Sequence, residues 1–554
     1  MISGADIMIK CLEAEGIDTV FGYPGAAICP FYDSLYKSNI KHVLVRMEQS
    51  AVHAANGYSR CSNKVGVCVA TSGPGATNMI TGIATAYSDS IPVICITGQV
   101  KRELLGRDVF QEADITGACE PFVKHSYLVN DTKDLPRVFK EAFHIATTGR
   151  MGPVLIDIPQ DVQEEEIESF EYPDSVDIVG YKPNVRGHKM QIKKAIDLIK
   201  EAERPLIVAG GGVLSSGSKL KLQQFAEMTG IPVISTLMGI GVMPSEHMRY
   251  LGMLGTHGKK YANMALHESD LLIVCGARLG DRAVAKPDQV SRTSKIIHID
   301  IDPAEIGKNV RTTVPIVGDM KNVIEKLIDE IGDYHIPHQW CETYREWKEK
   351  LYRVPPVKEG YVEPRSLIAK LSFMMKSKGI LVADVGQNQI WCANNFRIRE
   401  GRFLTTGGMG TMGYSVPAAI GAKMARPSRD VVAVCGDGAF QMNIQELQWV
   451  KRENLPVTSI VLNNESLGLI QQQQDDFFDG NHFGSTAEGG YDAPVFKKIG
   501  EAYGINSYSI NSIEELEDIL KTIDKTKPNL IEVHLDIKSK AYPKTYFGEE
   551  MYNQ

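Results

Sequence analysis

The chain has 554 residues, which at roughly 100–200 residues per domain implies about three or four domains and excludes a small binding module. Hydrophobic residues make up 43%, charged residues 23% and aromatic residues 8%, the balance of a folded soluble protein and not of a disordered or fibrous one. Lys and Arg total 60 against 68 Asp and Glu, a net charge of −8, so no basic field is available to grip nucleic acid.

Residues 1–10 carry no basic segment leading into a long apolar run, and no stretch approaches the roughly 18–20 apolar residues that span a bilayer. A cytoplasmic protein with no membrane partner is therefore expected. The ten cysteines include no C-x-x-C pair, and several lie in apolar runs. They are expected to be reduced core residues, with neither a disulfide frame nor a structural zinc.

In chain order, apolar runs at residues 43–45, 65–70, 93–97 and 154–158 predict buried strands. Each is followed by a Gly- or Ser-bearing turn and a helical pattern, as in a parallel α/β sheet, over residues 1–165. The acidic, Pro-containing stretch at residues 164–183 predicts a linker. The alternation restarts near Met190 with a strand at residues 205–209, the turn Gly210-Gly211-Gly212 and strands at residues 271–275 and 296–299. With the helix at residues 323–331 these predict a central Rossmann-like domain over residues 188–335. A polar segment carrying Pro337, Pro355 and Pro356 predicts a second linker near residues 335–362. Strands at residues 380–383, 431–435, 458–462 and 530–533 predict a third α/β domain over residues 362–540, followed by a tail, residues 541–554. The expected fold class is α/β, with three doubly wound parallel-sheet domains.

The strand ending at Cys435 runs into Gly436-Asp437-Gly438, and the next strand ends in Asn463-Asn464. Two glycines permit a tight turn at the carboxyl end of a strand, where open α/β sheets bind ligands. An Asp there can hold a hard cation, and an Asn on the neighbouring strand adds a second oxygen. Mg²⁺ completes its octahedron with phosphates and water, so Asp437, Asn464 and a diphosphate form a reasonable set. Such sparse protein ligation implies a phosphorylated cofactor. The alternative is an ordinary Gly-Asp-Gly turn beside an unrelated Asn pair.

These residues resemble the thiamine diphosphate signature. The resemblance then runs nearly end to end, and is closest to the catalytic-subunit family of acetohydroxyacid synthase, also called acetolactate synthase. It is carried by Phe21-Gly22-Tyr23-Pro24-Gly25-Ala26-Ala27, by Glu48-Gln49 ahead of Ala54-Ala55-Asn56-Gly57-Tyr58, and by Ser72-Gly73-Pro74-Gly75-Ala76-Thr77-Asn78. Phe110-Gln111-Glu112, Lys124-His125, Gly408-Met409-Gly410-Thr411-Met412-Gly413 and Phe440-Gln441-Met442-Asn443 add to it.

The resemblance implies that Glu48 hydrogen-bonds the pyrimidine N1′ of the cofactor, favouring the tautomer whose N4′ takes the proton from thiazolium C2. It implies catalytic positions for Gln111 and Lys124 as well, and makes Met412 the apolar wedge that folds the cofactor into a V. Besides Met412, the positions it assigns to thiamine diphosphate are Pro24, Gly25, Ala26, Pro74, Asn78, Gln387, Asn388, Gly410, Gly436, Asp437, Gly438, Ala439, Asn464, Ser466, Leu467 and Gly468. Asp437, Asn464 and Ser466 are the implied Mg²⁺ ligands. In the family the cofactor lies between two subunits, which implies a homodimer or homotetramer, and a regulatory subunit is a further implied partner.

In the middle domain, Gly210, Gly211, Gly212, Thr236, Leu237, Met238, Thr256, His257, Arg278, Arg282, Asp300 and Asp319 match positions that surround FAD in flavin-containing members. Glycines allow close approach to a pyrophosphate, arginines neutralise it, and acids at strand ends accept from ribose hydroxyls. A structural, non-redox FAD is the expectation, although related enzymes use this fold without a nucleotide and Leu279-Gly280 stands where the family has Phe-Asp.

Three further departures lie near the implied reaction centre. Asn388 replaces a His that helps hold the diphosphate, and an amide there can still donate a hydrogen bond. Leu469 and Gln473 stand where the family has Met and Trp lining the pocket for the second substrate. The tail segment Tyr542-Pro543-Lys544-Thr545-Tyr546-Phe547-Gly548 puts a cation where a Met-containing closing segment is expected. The implied activity is decarboxylation of pyruvate and carboligation to a second 2-oxoacid, pyruvate or 2-oxobutyrate. The alternatives are another thiamine diphosphate enzyme, a 2-oxoacid decarboxylase or a cyclic-diketone hydrolase, and, from a different class, a flavin- or nicotinamide-dependent oxidoreductase. The last would need a G-x-G-x-x-G fingerprint that residues 210–217 do not supply cleanly.

Overall fold

The computed structural model describes residues 1–351 and 360–545. Three six-stranded sheets, parallel throughout, account for the α/β alternation. The first sheet runs Lys41–Leu44, Thr19–Gly22, Gly66–Ala70, Val93–Gln99, Val154–Pro159, His125–Leu128 from edge to edge. The third runs Arg402–Leu404, Ile380–Ala383, Val431–Gly436, Thr458–Asn463, Asn529–His534, Asn506–Ile510. Counted in chain order within each sheet, both have the order 2-1-3-4-6-5. The middle sheet runs Tyr250–Met253, Val233–Ser235, Pro205–Ala209, Leu271–Cys275, Lys295–Asp300, Val314–Val317, the order 3-2-1-4-5-6 of doubly wound dinucleotide folds.

The apolar runs predict most of the interior strands and the edge strand Lys41–Leu44. The strands without such a run are short or peripheral. His125–Leu128 and Asn506–Ile510 are edge strands with exposed residues in each, and Thr19–Gly22 has only four residues.

Both expected linkers need correction. Within residues 164–183, Glu166–Ile167 pairs antiparallel with Ile2–Ser3, and the Tyr172 hydroxyl donates to Glu15 at 2.8 Å. That stretch is laid against the first domain by its tyrosines, which a reading of its acidic residues does not weigh. Within residues 335–362, His338–Lys350 is a helix whose Trp340 and Tyr344 are buried in the middle-domain core, with Trp340 Nε1 donating to Pro205 O at 3.1 Å. Its aromatic spacing sits in an otherwise polar sequence, and so the composition reads as linker. Pro355 and Pro356, and the tail beyond Thr545, lie outside the described residues. The cysteines are free thiols, eight of them buried, but Cys29 is exposed and Cys341 half-buried, so not all are core residues.

One joint unites the first and third domains. Helix Glu48–Ser62 lies on helix Ser415–Ala425, with small residues at the crossing. A Cβ on Gly57 would fall 2.1 Å from Ala418 O, and one on Gly421 would fall 1.9 Å from Ala54 O. Backbone therefore meets backbone, a distance only glycine and alanine permit. Around the crossing, Tyr414 Oη donates to Asn56 Oδ1 at 2.8 Å, Arg46 N to Glu446 Oε1 at 3.0 Å, and Arg426 Nε to Cys61 O at 2.8 Å. Apolar side chains of both sheets form one continuous core across it.

Gly57→Ala should destabilise the protein by about 1–3 kcal/mol, since an added methyl in a filled contact forces the backbone apart. Gly280→Ala, where a Cβ meets nothing within 4 Å, should change stability by less than about 0.5 kcal/mol. Chemical unfolding of the two variants checks this, and equal stabilities would contradict the packing argument.

Candidate active site

The polar groups assemble at the carboxyl ends of parallel strands, where the chain turns into helices and backbone N–H groups point outward. On the first sheet, Glu48 opens the helix after Lys41–Leu44 and is half-buried. Its Oε2 accepts from Asn78 Nδ2 at 3.0 Å. A Cβ on Gly75 would stand 3.4 Å from Glu48 Oε1, and one on Gly73, at φ +58°, would meet Gln111 Cα at 2.9 Å. Gln111 itself has φ +61°, a conformation that costs a non-glycine residue energy and is concentrated at functional sites. Thr71 packs between Gly25 and Gly75, within 2.5 Å and 2.8 Å of where their Cβ atoms would be, and its buried hydroxyl has no partner among the described residues. Glu48, Asn78, Gln111 and the Pro24-Gly25-Ala26 and Gly73-Pro74-Gly75 turns thus form one cluster, with Pro24, Ala26 and Pro74 exposed on its rim.

Lys124 does not join it. Its ammonium donates to Ile145 O, to Thr148 O at 2.6 Å and to Tyr181 Oη at 3.1 Å, and sits 5.6 Å from the Tyr181 ring centroid. Burial, aided by Arg150, lowers its pKa to about 8. The catalytic position that the resemblance implies is, in this structure, held by structural bonds: Lys124 satisfies the last carbonyls of helix Leu135–Thr147 and ties them to the segment after the first domain.

On the third sheet, Asp437 is 2% exposed. Its Oδ1 accepts from Gly438 N at 2.8 Å and its Oδ2 from Ser466 N at 3.1 Å. Burial pushes its pKa up to about 7 against the pull of those donors and of the Tyr491 hydroxyl. Among the described residues Ser466 Oγ is buried without a partner. Asn464 Nδ2 donates to Gln387 Oε1 at 3.4 Å, which engages its amide nitrogen and not its Oδ1. A buried carboxyl, an orphaned hydroxyl and an amide oxygen are the donor set a hard cation takes. Helices Gln387–Asn395 and Gly468–Phe477 begin here with no side-chain cap, and a Cβ on Gly468 would fall 2.2 Å from Gln387 Oε1. Their free N–H groups suit a diphosphate. Ala439 is buried in the short helix after Asp437, and a Cβ on Gly438 would meet Leu467 Cδ2 at 2.4 Å and Met412 Cε at 3.5 Å. Met412 therefore stands over the Gly436-Asp437-Gly438 turn.

Asn388 needs correction. Its Nδ2 donates to Asp384 O at 2.8 Å and Val434 O at 3.2 Å, so the amide's donors already brace two strand ends. Gln387 Nε2 likewise donates to Ser539 O at 2.9 Å. Two residues escape the sequence reading. Asp384, 1% exposed, accepts from Gly413 N at 2.9 Å and Ser415 N at 2.7 Å and so anchors the Met412 loop. Tyr491 reaches Asp437 from a polar loop without periodicity. The signal available for Asp384 is its place, an acid directly after a strand and two residues before a glycine at φ +130°.

A cavity of about 1820 Å³ is lined by Gly211, Gly212, Thr236, Leu237, Met238, Thr256, His257, Arg278, Arg282, Asp300 and Asp319, from the third domain by Gly410, Leu469 and Gln473, and from the segment after it by Lys544. Three expectations are modified there. Gly210 presses on Gly276 O, 2.1 Å from where its Cβ would be, so packing already accounts for that glycine. Asp319 caps helix Met320–Ile331, its Oδ1 accepting from Lys321 N and Asn322 N. His257 Nδ1 lies 2.9 Å from Pro543 O, and burial lowers its pKa to about 4, leaving a neutral ring. Arg278 and Arg282 are exposed to the cavity, and burial raises Asp300 to about 6. Leu279, in the segment that departs from the family, has φ +48° while 1% exposed. Among the described residues, no helix is long and apolar enough to cross a membrane.

Family comparisons agree with this architecture. The chain matches the thiamine pyrophosphate enzyme N-terminal TPP binding domain over residues 2–118, the central domain over 192–327 and the C-terminal TPP binding domain over 384–533. It therefore belongs to the thiamine pyrophosphate (thiamine diphosphate) enzymes. It is 46% identical over 97% of its length to the probable acetolactate synthase large subunit of Methanocaldococcus jannaschii, covering 92% of that protein. It is 41% identical over 99% of its length to the acetolactate synthase large subunit of Haemophilus influenzae, covering 97% of it, and 45% identical over 94% to the acetolactate synthase of Mycobacterium bovis, covering 85%. Within the class, the chain is a member of the acetolactate synthase large-subunit family.

Asp437→Ala should weaken Mg²⁺ and thiamine diphosphate together, because each would complete the other's site. Thermal shifts of the wild type with metal alone, cofactor alone and both should be non-additive, and the variant should lose the excess. Additive shifts in the wild type would argue against a shared site.

Proposed function

We propose that the chain decarboxylates pyruvate and joins the remaining two-carbon unit to a second 2-oxoacid, giving 2-acetolactate or, with 2-oxobutyrate, 2-aceto-2-hydroxybutyrate. The observation that carries this reading is the pairing of two half-sites on one chain: the Glu48–Asn78–Gln111 cluster on the first sheet and the Asp437–Asn464–Ser466 cluster on the third. Among the described residues, Glu48 and Asp437 share no bonded partner, and exposed Pro24, Ala26 and Gly410 leave each half open. Two such half-sites from two copies make a complete one, so the reading takes a homodimer as the smallest active unit. Because the relatives are named large subunits, it also takes a smaller regulatory subunit as a partner.

Thiamine diphosphate, when bound, supplies a nucleophilic carbon and an electron sink for breaking and making bonds beside a carbonyl. The chain's residues do the rest. Asp437, Asn464 and Ser466 would hold Mg²⁺, and the uncapped helix starts at Gln387 and Gly468 would receive the diphosphate. Glu48, fixed by Asn78, would hold a proton at the pyrimidine N1′. Met412, packed over the Asp437 turn, would fill the space under the cofactor's bend and exclude water. The large cavity offers FAD two arginines for its phosphates, Asp300 for a ribose hydroxyl and ample volume, and a structural FAD is part of the proposal.

Leu469 and Gln473 line that same cavity, and the acceptor side is accordingly more polar than the family's Met and Trp would make it. Incubation of the protein with pyruvate, Mg²⁺ and thiamine diphosphate, followed by NMR of the products, tests the reading. Acetolactate supports it, acetaldehyde would indicate a simple decarboxylase, and no turnover of pyruvate would overturn it.

Glu48→Gln should keep cofactor binding and lose more than about tenfold in turnover, a barrier change above about 1.4 kcal/mol. Turnover within tenfold of wild type would remove Glu48 from the proton relay. Gln473→Trp should shift acceptor preference toward 2-oxobutyrate by roughly tenfold, since one methylene against an apolar wall is worth about 1–3 kcal/mol. Competition between equal concentrations of both acceptors measures it, and an unchanged ratio would place Gln473 outside the acceptor pocket.

A further inference from the structure

The loop of residues 407–413 is held along its length by the first domain of its own chain. Asp89 Oδ1 accepts from Gly407 N at 3.1 Å and Gly408 N at 2.8 Å, and Thr85 Oγ1 lies 2.8 Å from Thr411 Oγ1. The third hold reaches the end of the loop through an intermediary. Ser50, in the first turn of the helix that Glu48 opens, donates from Oγ to Asn443 Oδ1 at 2.7 Å. Asn443 Nδ2 in turn donates to Gly413 O.

Gly413 is the residue after Met412 and has φ +85°. A Cβ there would fall 2.5 Å from Asn443 Nδ2, so the amide occupies the space a side chain would need. From the opposite side, Asp384 takes the N–H groups of Gly413 and Ser415. Peptide groups on both sides of this glycine are thus gripped, its carbonyl by Asn443 and its N–H by Asp384. Ser50, Asn443 and Asp384 are 0%, 3% and 1% exposed, and water cannot substitute for any of these bonds without a cavity opening.

We propose that Asn443 is a positioning residue for Met412: it transmits the placement of the Glu48 helix, through Ser50, to the glycine that sets the height of Met412 over the Asp437 turn. The inference rests on the thiamine diphosphate reading above, because Met412 matters only against a bound cofactor. Asn443 acts through the loop, and its loss should leave the diphosphate and metal ligands in place. A glycine freed from one of its two grips regains backbone freedom and lets Met412 sample other heights.

The test is the rate of hydrogen–deuterium exchange at C2 of bound thiamine diphosphate, quenched and read by NMR, alongside cofactor affinity by thermal shift with Mg²⁺. Asn443→Ala should slow C2 exchange about tenfold or more while apparent affinity changes less than about threefold, and Ser50→Ala should slow exchange by a smaller factor. Because Asn443 works through Met412, the double variant Met412→Ala/Asn443→Ala should be no slower than Met412→Ala alone, within about twofold. Unchanged exchange in a folded Asn443→Ala, or a double variant showing the full product of the single losses, would overturn the proposal. If Asn443→Ala does not fold, Ser50→Ala combined with Met412→Ala completes the same cycle. Wild-type exchange no faster than that of free cofactor would overturn the underlying reading instead, an outcome distinct from a fast wild type with unaffected variants.

Discussion

The contact between helices Glu48–Ser62 and Ser415–Ala425 is the constraint on which the remaining geometry depends. At or beside the helix starts stand Glu48 on one and the Met412 loop immediately before the other. Backbone touching backbone at Gly57 and Gly421 leaves no soft side chain to absorb a displacement. Dispersion and exclusion of water at such a contact fall off within a fraction of an ångström, so the separation of the two elements is defined far more sharply than by a bulky interface.

Charge supplies the second constraint. Asp437 is buried among N–H donors that favour its anion, yet burial disfavours that anion more strongly. A carboxyl in this position is poised between proton and cation, and the orphaned Ser466 hydroxyl nearby has the same incompleteness. Such groups cost stability in the bare protein, and a cation held by them would restore it, linking folding free energy to ligand occupancy. Asp384, equally buried, has its oxygens directed to the Gly413 and Ser415 N–H groups of the neighbouring loop, and so joins two parts of the third domain.

How much of this is legible in the sequence depends on whether the information is local. Most interior strands are readable because each contains an apolar run, and the Gly-Asp-Gly and Asn-Asn segments stand at the ends of two neighbouring strands, as their spacing predicts. Edge strands such as Asn506–Ile510 are not readable, because half their residues face water and dilute the pattern. Lys124 misled for a related reason: nothing local reveals that helix carbonyls and Tyr181 enclose its ammonium. Asn388 stands where the family has a His and still offers N–H donors, but those are claimed by two strand ends that only the fold brings near. Conversely, helix His338–Lys350 hid in a charged segment because two buried aromatics, Trp340 and Tyr344, carry its packing.

The joint also has a bearing on how the chain acquires its shape. Its two helices are separated in sequence by the entire middle domain, and the bond from Tyr414 to Asn56 closes a span of 358 residues. During synthesis the first of these helices waits, with its contact face uncovered, until the second has left the ribosome, a long interval in which exposed surface invites misassociation. A face built of glycine and alanine presents little apolar area to a wrong partner. The same small residues that make the finished contact so close therefore make the unfinished one comparatively safe.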